Sequence, residues 1–196
     1  RGFGQALKKQ GLSFICEVKK ASPSKGLIAK DFNPVLQARA YENAGAAAVS
    51  CLTEPQYFLG SNEYLKAISQ SISLPVLRKD FTVHEAQIYE AKLIGADAIL
   101  LITALLEESV LREYLAAAKG IGLDVLPEVH DEAELETALK AGADIVTIMA
   151  VTEKRTIEEG IKVAKEYGRK VMTDLLSVQN IGERIEELDK MGVDYI

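Results

Sequence analysis

Short apolar runs of strand type alternate along the chain with longer stretches whose apolar residues return every three or four positions. The strand-type runs fall at 14–18, 47–52, 75–77, 98–102, 125–129, 145–149, 170–173 and 193–196. Three intervening stretches open on a capping box, where the first residue caps a helix and an acid three positions on reaches back. These are Thr82 with Glu85, Asp131 with Glu134, and Thr156 with Glu159. Asn33 before Pro34 gives another helix start, with proline at the first helical position. The pattern predicts eight β segments and seven helices. Strands joined through helices pair in parallel, by right-handed crossovers.

A weak repeat runs through this alternation. Gly45-Ala46-Ala47, Gly95-Ala96-Asp97, Gly142-Ala143-Asp144 and Gly192-Val193-Asp194 are spaced 50, 47 and 50 residues apart. Each glycine stands where a helix should end in the left-handed conformation, which glycine adopts without a Cβ penalty. An apolar strand follows each one, so the repeat marks every second strand. Eight such units in this length fit a short (β/α)8 TIM barrel, α/β in class. The alternative is a doubly wound open sheet. Its glycine-rich turn after the first strand is replaced here by ASPSKG at 21–26.

The chain has 196 residues, 48% of them hydrophobic and 27% charged, which suits one domain spanning 1–196. The longest apolar run, 98–106, falls well short of the roughly 20 residues that cross a bilayer, so no membrane partner is expected. No basic stretch leads into an apolar segment near Arg1, and no secretion signal is expected. A net charge of −6 with scattered lysines argues against a nucleic-acid partner. Cys16 and Cys51 lie inside apolar runs and read as reduced thiols of a cytoplasmic protein. Two histidines and no cysteine cluster leave no expectation of a metal, and no cofactor is expected.

Charges stand out against the parallel strands, which are buried on both faces and usually apolar. Glu17 and Lys19 are two apart in the first run and share a face, as do Leu77, Lys79 and Phe81 in the third. Glu128 interrupts the fifth between Pro127 and Val129. All lie near strand C-terminal ends, where barrel active sites form, and alternate strands share layers. Glu17, Lys19, Lys79 and Glu128 are therefore expected to converge. Two lysines facing two glutamates would hold each other charged, and a desolvated lysine could act as a general acid. The plainer reading makes each lysine a solvated rim residue. His84 and His130 read as surface or capping residues. Ser22-Pro23-Ser24 could cradle an anion through its amides, but it is also an ordinary turn signal.

Four segments carry a resemblance: FICEVKKASPSKG at 14–26, LTEPQYFLG at 52–60, LRKDF at 77–81 and PEVH at 127–130. In order and spacing, residues 1–145 resemble indole-3-glycerol-phosphate synthase, a (β/α)8 lyase of tryptophan biosynthesis. The resemblance implies a small phosphorylated substrate, 1-(2-carboxyphenylamino)-1-deoxyribulose 5-phosphate, cyclised with loss of carbon dioxide and water. It makes Lys79 the general acid, Glu128 a helper in dehydration, and Glu17 the group that holds and polarises the lysines. It puts Lys19 near the anionic groups, Ser22 and Pro23 on the anthranilate side, and Phe81 on the ring.

Beyond residue 145 the family pattern changes. The expected Asn and Arg are replaced by MAVTEK at 149–154, and the Glu-Ser-Gly phosphate turn by VMTDLL at 171–176. Asp174 aligns with that Glu and is taken as substrate-binding. Residues 142–196 resemble 3-hexulose-6-phosphate synthase and the orotidine-monophosphate-decarboxylase group, without that group's Asp-x-Lys-x-x-Asp motif. The chain thus reads as a chimera of 1–145 and 146–196, engineered rather than natural, lacking the family's N-terminal extension and last helix. Two alternatives to a synthase-type lyase follow. One is a hybrid scaffold without useful activity; the other is a sugar-phosphate aldolase or decarboxylase. An unpaired last strand edge makes a monomer or weak dimer the expected state.

Overall fold

The computed structural model describes residues 1–8, 13–175 and 178–196; of the quoted 171–176 segment, Leu176 lies outside the described residues. The chain forms two compact units, Arg1–Leu100 with Ala117–Asp124, and Leu101–Ala116 with Val125–Ile196.

The first unit begins with a single helical turn, α1 (Phe3–Ala6). The strands β1 (Ile15–Val18), β4 (Ala48–Leu52), β5 (Val76–Lys79) and β6 (Ala98–Ile102) follow, paired in parallel in that order. Helices α2 (Pro34–Asn43), α3 (Asn62–Ser71) and α4 (Ala86–Leu93) connect them. A small antiparallel hairpin, β2 (Ala21–Ser22) with β3 (Gly26–Leu27), rises from the end of β1. Val18, Val49, Cys51, Val76 and Ile99 from the strands pack with Leu65, Ile68 and Ile88 from the helices, all essentially without solvent contact. Burying such side chains contributes roughly 1.5–3 kcal/mol each.

In the second unit, β7 (Asp124–Val129), β8 (Ile145–Met149) and β9 (Lys170–Asp174) are parallel neighbours. A 3-10 turn, η1 (Thr103–Leu105), precedes α5 (Glu108–Gly120); α6 (Glu132–Ala141), α7 (Lys154–Glu166) and α8 (Ile181–Met191) complete it. Leu135, Val146, Ile157, Val171 and Leu188 form its core.

The expected seven connecting helices all form, and the local signals act as their chemistry dictates. Asn33 Oδ1 accepts the Leu36 N–H at 3.0 Å, capping α2. Gly142 and Gly192 take φ of 105° and 85° behind α6 and α8, a backbone that would strain any Cβ-bearing residue. Asp131 caps α6 by accepting the Glu134 N–H, while the Glu134 carboxylate reaches back to the His130 N–H.

Two capping boxes do not form. α4 starts at Ala86, beyond Thr82, which is buried; the Gln87 amide accepts the N–H groups of Val83 and His84 and donates to the Phe81 carbonyl. One amide satisfying both donors and an acceptor serves the turn better than the Thr82–Glu85 pair. α7 starts at Lys154, so Thr156 falls inside its first turn and Glu159 pairs with Arg155 instead.

The expected eighth strand is a single parallel bridge, Met172 with Tyr195. At its entrance the Asp194 carboxylate accepts the Val171 N–H at 3.0 Å. Asp97 does the same at the Val76 N–H, 3.0 Å, in the first unit. At Gly95 and Gly192 the Asp two positions on therefore ties one strand entrance to its neighbour, whereas Asp144 pairs with the Arg169 side chain.

Candidate active site

Alternate residues of a strand share a face, so Glu17 and Lys19 project together from β1 and its exit. Glu17 is level with Ser50 of β4, and Ser50 with Leu77 of β5. Lys79 therefore stands two residues further along, on the same face of the next strand but one. Its Nζ donates to Glu17 Oε2 at 3.1 Å, and Lys19 Nζ donates to Glu17 Oε1. All three side chains are three-quarters buried or more. Burial by itself would push the Glu17 carboxyl up, but the Lys79 charge and the Lys19 hydrogen bond and charge outweigh it and hold it below the ordinary range. Glu17 is thus an ionised carboxylate that fixes two ammonium groups at the C-terminal strand edge. The Tyr41 hydroxyl, itself accepting from Gln37, donates to the Glu17 carbonyl at 3.1 Å and steadies this strand end.

The loop after β4 is built around Glu54. Its carboxylate accepts three backbone N–H groups, from Gln56 at 2.7 Å, Tyr57 at 2.6 Å and Phe58 at 3.0 Å. Burial disfavours this charge, yet the three amides win and lower the carboxyl. Gly60 closes the loop: a Cβ there would stand 2.4 Å from the Leu52 carbonyl oxygen. The loop holds the Phe58 ring 6.5 Å from Phe81, in a tilted pair.

Behind Lys79, Arg78 faces the helices and is buried. Its guanidinium donates to Thr53 Oγ1 (3.1 Å), the Gln87 carbonyl (3.0 Å), Asn62 Oδ1 (3.2 Å), Asp80 Oδ2 (3.2 Å) and Glu90 Oε2 (2.7 Å). Asp80 in turn accepts from Thr53 Oγ1 and from the Phe81 N–H.

The structure brings Glu17, Lys19 and Lys79 together. Phe81 is partly exposed on the loop after β5. Ser22 Oγ accepts the Lys25 N–H at 3.2 Å and Pro23 is exposed, so this segment is the turn of the β2–β3 hairpin. In the second unit, Glu128 sits on β7 level with Thr147, between buried Pro127 and Val129. Its Oε1 lies 3.5 Å from His130 Nε2. Asp174 ends β9 level with Met149. His84 Nδ1 accepts the Ala86 N–H, the capping role its position suggests. Both cysteines are free; burial, and then Glu17, push the Cys51 thiol up to about 12.

Sequence reasoning missed Glu54 and Arg78. Glu54 follows a strand and precedes Pro55, a turn signal that could have marked it; Arg78 beside Lys79 carries no mark of its own.

Parallel strands followed by helices, with ionisable groups at the strand C-terminal ends, define an enzyme of the (β/α)8 class. Residues 1–150 match the family Indole-3-glycerol phosphate synthase. The synthase of Endomicrobium trichonymphae is 51% identical over 180 residues, covering 92% of this chain and 69% of that protein. The synthase of Ruminiclostridium cellulolyticum is 45% identical over 193 residues, covering 92% and 74%. The N-acetylmannosamine-6-phosphate 2-epimerase of Clostridium perfringens superposes with a TM-score of 0.68 at 16% identity, over 95% of this chain and 85% of that one, a likeness of fold alone. The chain belongs to the indole-3-glycerol phosphate synthase family.

Proposed function

We propose that the chain carries out its family's reaction, a carboxy-lyase step of tryptophan biosynthesis. The substrate is 1-(2-carboxyphenylamino)-1-deoxyribulose 5-phosphate. The observation that carries this reading is the Glu17 carboxylate held between the ammonium groups of Lys19 and Lys79. Lys79 gives a proton to the ribulose carbonyl oxygen while the carboxylate-bearing aromatic carbon bonds to the carbonyl carbon. Loss of carbon dioxide returns its electron pair to the ring. Glu128 assists the proton transfers that release the hydroxyl as water. Lys19 lies toward the anionic groups, Ser22 and Pro23 toward the anthranilate, Phe81 on the ring, and Asp174 at the phosphate side. Formation of the fluorescent indole product is the test. Lys79→Met should abolish it, and activity surviving that change overturns the reading.

A finer reading concerns residues 146–196, which we propose descend from a hexulose-phosphate-synthase-like barrel. Its support is that the family match ends at residue 150, although the synthase alignments, at 92% of the chain, run past that point. Such a segment lacks the family's phosphate turns, and a helix- or turn-held dianion contributes affinity that its loss removes. Exchanging 146–196 for the Endomicrobium segment should then lower KM at least about ten-fold, a factor worth roughly 1.4 kcal/mol. An unchanged KM counts against this origin.

Among the described residues no helix is long and apolar enough to cross a membrane. We place the reaction in the cytoplasm, on the support of two free thiols, and the chain as a monomer or weak dimer, which sedimentation would check.

A further inference from the structure

His130 stands directly after β7, and both ring nitrogens face carboxylates. Nδ1 lies 3.0 Å from Glu134 Oε2, and Nε2 lies 3.5 Å from Glu128 Oε1. Glu134 Oε2 also accepts the His130 backbone N–H at 2.8 Å, which fixes that carboxylate as an acceptor. An ionised carboxylate can only accept, so Nδ1 must carry the hydrogen. In neutral imidazole the other nitrogen is then a bare lone pair. It would face Glu128 Oε1 lone pair to lone pair. The contact becomes attractive only when one further proton lies between the two, on Glu128 or on Nε2.

We infer that His130 is a positioning residue for Glu128: it orients that carboxylate and carries its proton to and from solvent. This rests on the catalytic reading of Glu128. Glu128 is largely buried on β7, whereas the His130 side chain is 41% exposed, so the ring spans from the carboxylate to water. When Glu128 takes a proton from the reacting molecule, the proton passes from Oε1 to Nε2. Glu128 becomes a carboxylate again and His130 an imidazolium, its Nδ1–H still held by Glu134. A buffer base or water then removes the proton from Nε2, restoring the neutral ring. In the other direction the same path delivers a proton for the departing hydroxyl. The charged groups around the ring are acids: Glu128 and Glu134 at its two nitrogens, and Asp131, Glu132 and Glu159 of α7 lining the same pocket, Glu159 being paired to Arg155. Glu107 and Glu108 of the segment opening α5 line the adjoining groove with Asp131 and Glu134, and Glu108 is paired to Arg112.

The test compares His130→Gln, Glu128→Gln and the parent chain by indole-product fluorescence, with thermal melts confirming that each folds. Proton transfer by a positioned side chain contributes on the order of 100-fold or more. We expect His130→Gln to lose about ten- to hundred-fold in kcat with KM within about two-fold, and exogenous imidazole to restore part of the loss. A merely structural role would not respond to imidazole. Where His130→Gln fails to fold, Glu134→Ala, which frees the ring to turn, is read in the same way. Full kcat in His130→Gln beside an inactive Glu128→Gln overturns this inference alone, as does a loss that imidazole leaves untouched. Full activity in Glu128→Gln overturns the reading of Glu128 beneath it.

Discussion

Glu17 and Lys79 are 62 residues apart in the chain, yet Lys79 Nζ donates to Glu17 Oε2 at 3.1 Å. The contact passes over β4, so it exists only because β1 and β5 flank that strand in register. Its chemical meaning comes from Lys19, which occupies the other oxygen of the same carboxylate. Glu17→Gln keeps the shape and removes the charge, leaving two ammonium groups to repel each other. Small misplacements of reacting groups can cost on the order of 100-fold. The expected result is a kcat reduced by about that factor, read by product fluorescence. An unchanged kcat would remove Glu17 from the site.

Acid should weaken the first unit through Glu17 and Glu54, whose carboxyls are both held low in the folded chain. A group depressed in the native state binds its proton later than in the unfolded chain, where a glutamate titrates near about 4.3. Its contribution is complete above that pH and disappears as pH falls through the lower native value. Hydrogen bonds to a charged group are worth roughly 1.5–3 kcal/mol. Glu54→Gln should therefore lower the urea midpoint at neutral pH, and the gap from the parent should close as pH falls below about 4.3, through the depressed native value. A gap independent of pH would contradict this.

Arg78 is buried and donates to five acceptors, two of them on the carboxylates of Asp80 and Glu90. Removing one partner of such a group leaves the others unpaired, at roughly 3–5 kcal/mol. Arg78→Met should lose stability in that range by chemical denaturation. Arg78→Lys should rescue little of it, because an ammonium cannot reproduce the planar fork.

The two cysteines should label in order. Cys51 is fully buried with its thiol pushed up to about 12, so at pH 8 it stays protonated and inaccessible. Cys16 is also pushed up by burial, but is only half-buried. Ellman's reagent at pH 8 should modify Cys16 slowly and Cys51 only on unfolding. Two equal rates in the native chain would show that β4 opens.

Much of this was legible before any coordinates. Period-2 and helical stretches, the Asn33 cap and the repeated glycines act over a few residues, and the structure follows them. Of the four residues expected to converge, Glu17, Lys19 and Lys79 lie together within the first unit, since strand alternation fixes which side chains share a face. The boxes at Thr82 and Thr156 failed because Gln87 and Arg155 supplied partners that the motif ignores.

The sequence by itself determined the alternation of the main strands and helices, the parallel sense of those strands and the charges at their ends, since all of these rest on local periodicity. Only the tertiary structure decided that Glu54 gathers three amides, that Arg78 is walled in by acids and amides from α3 and α4, and that His130 lies between two carboxylates. Those are contacts through space between side chains whose rotamers depend on packing. No spacing along a chain encodes which acceptor a buried donor will meet.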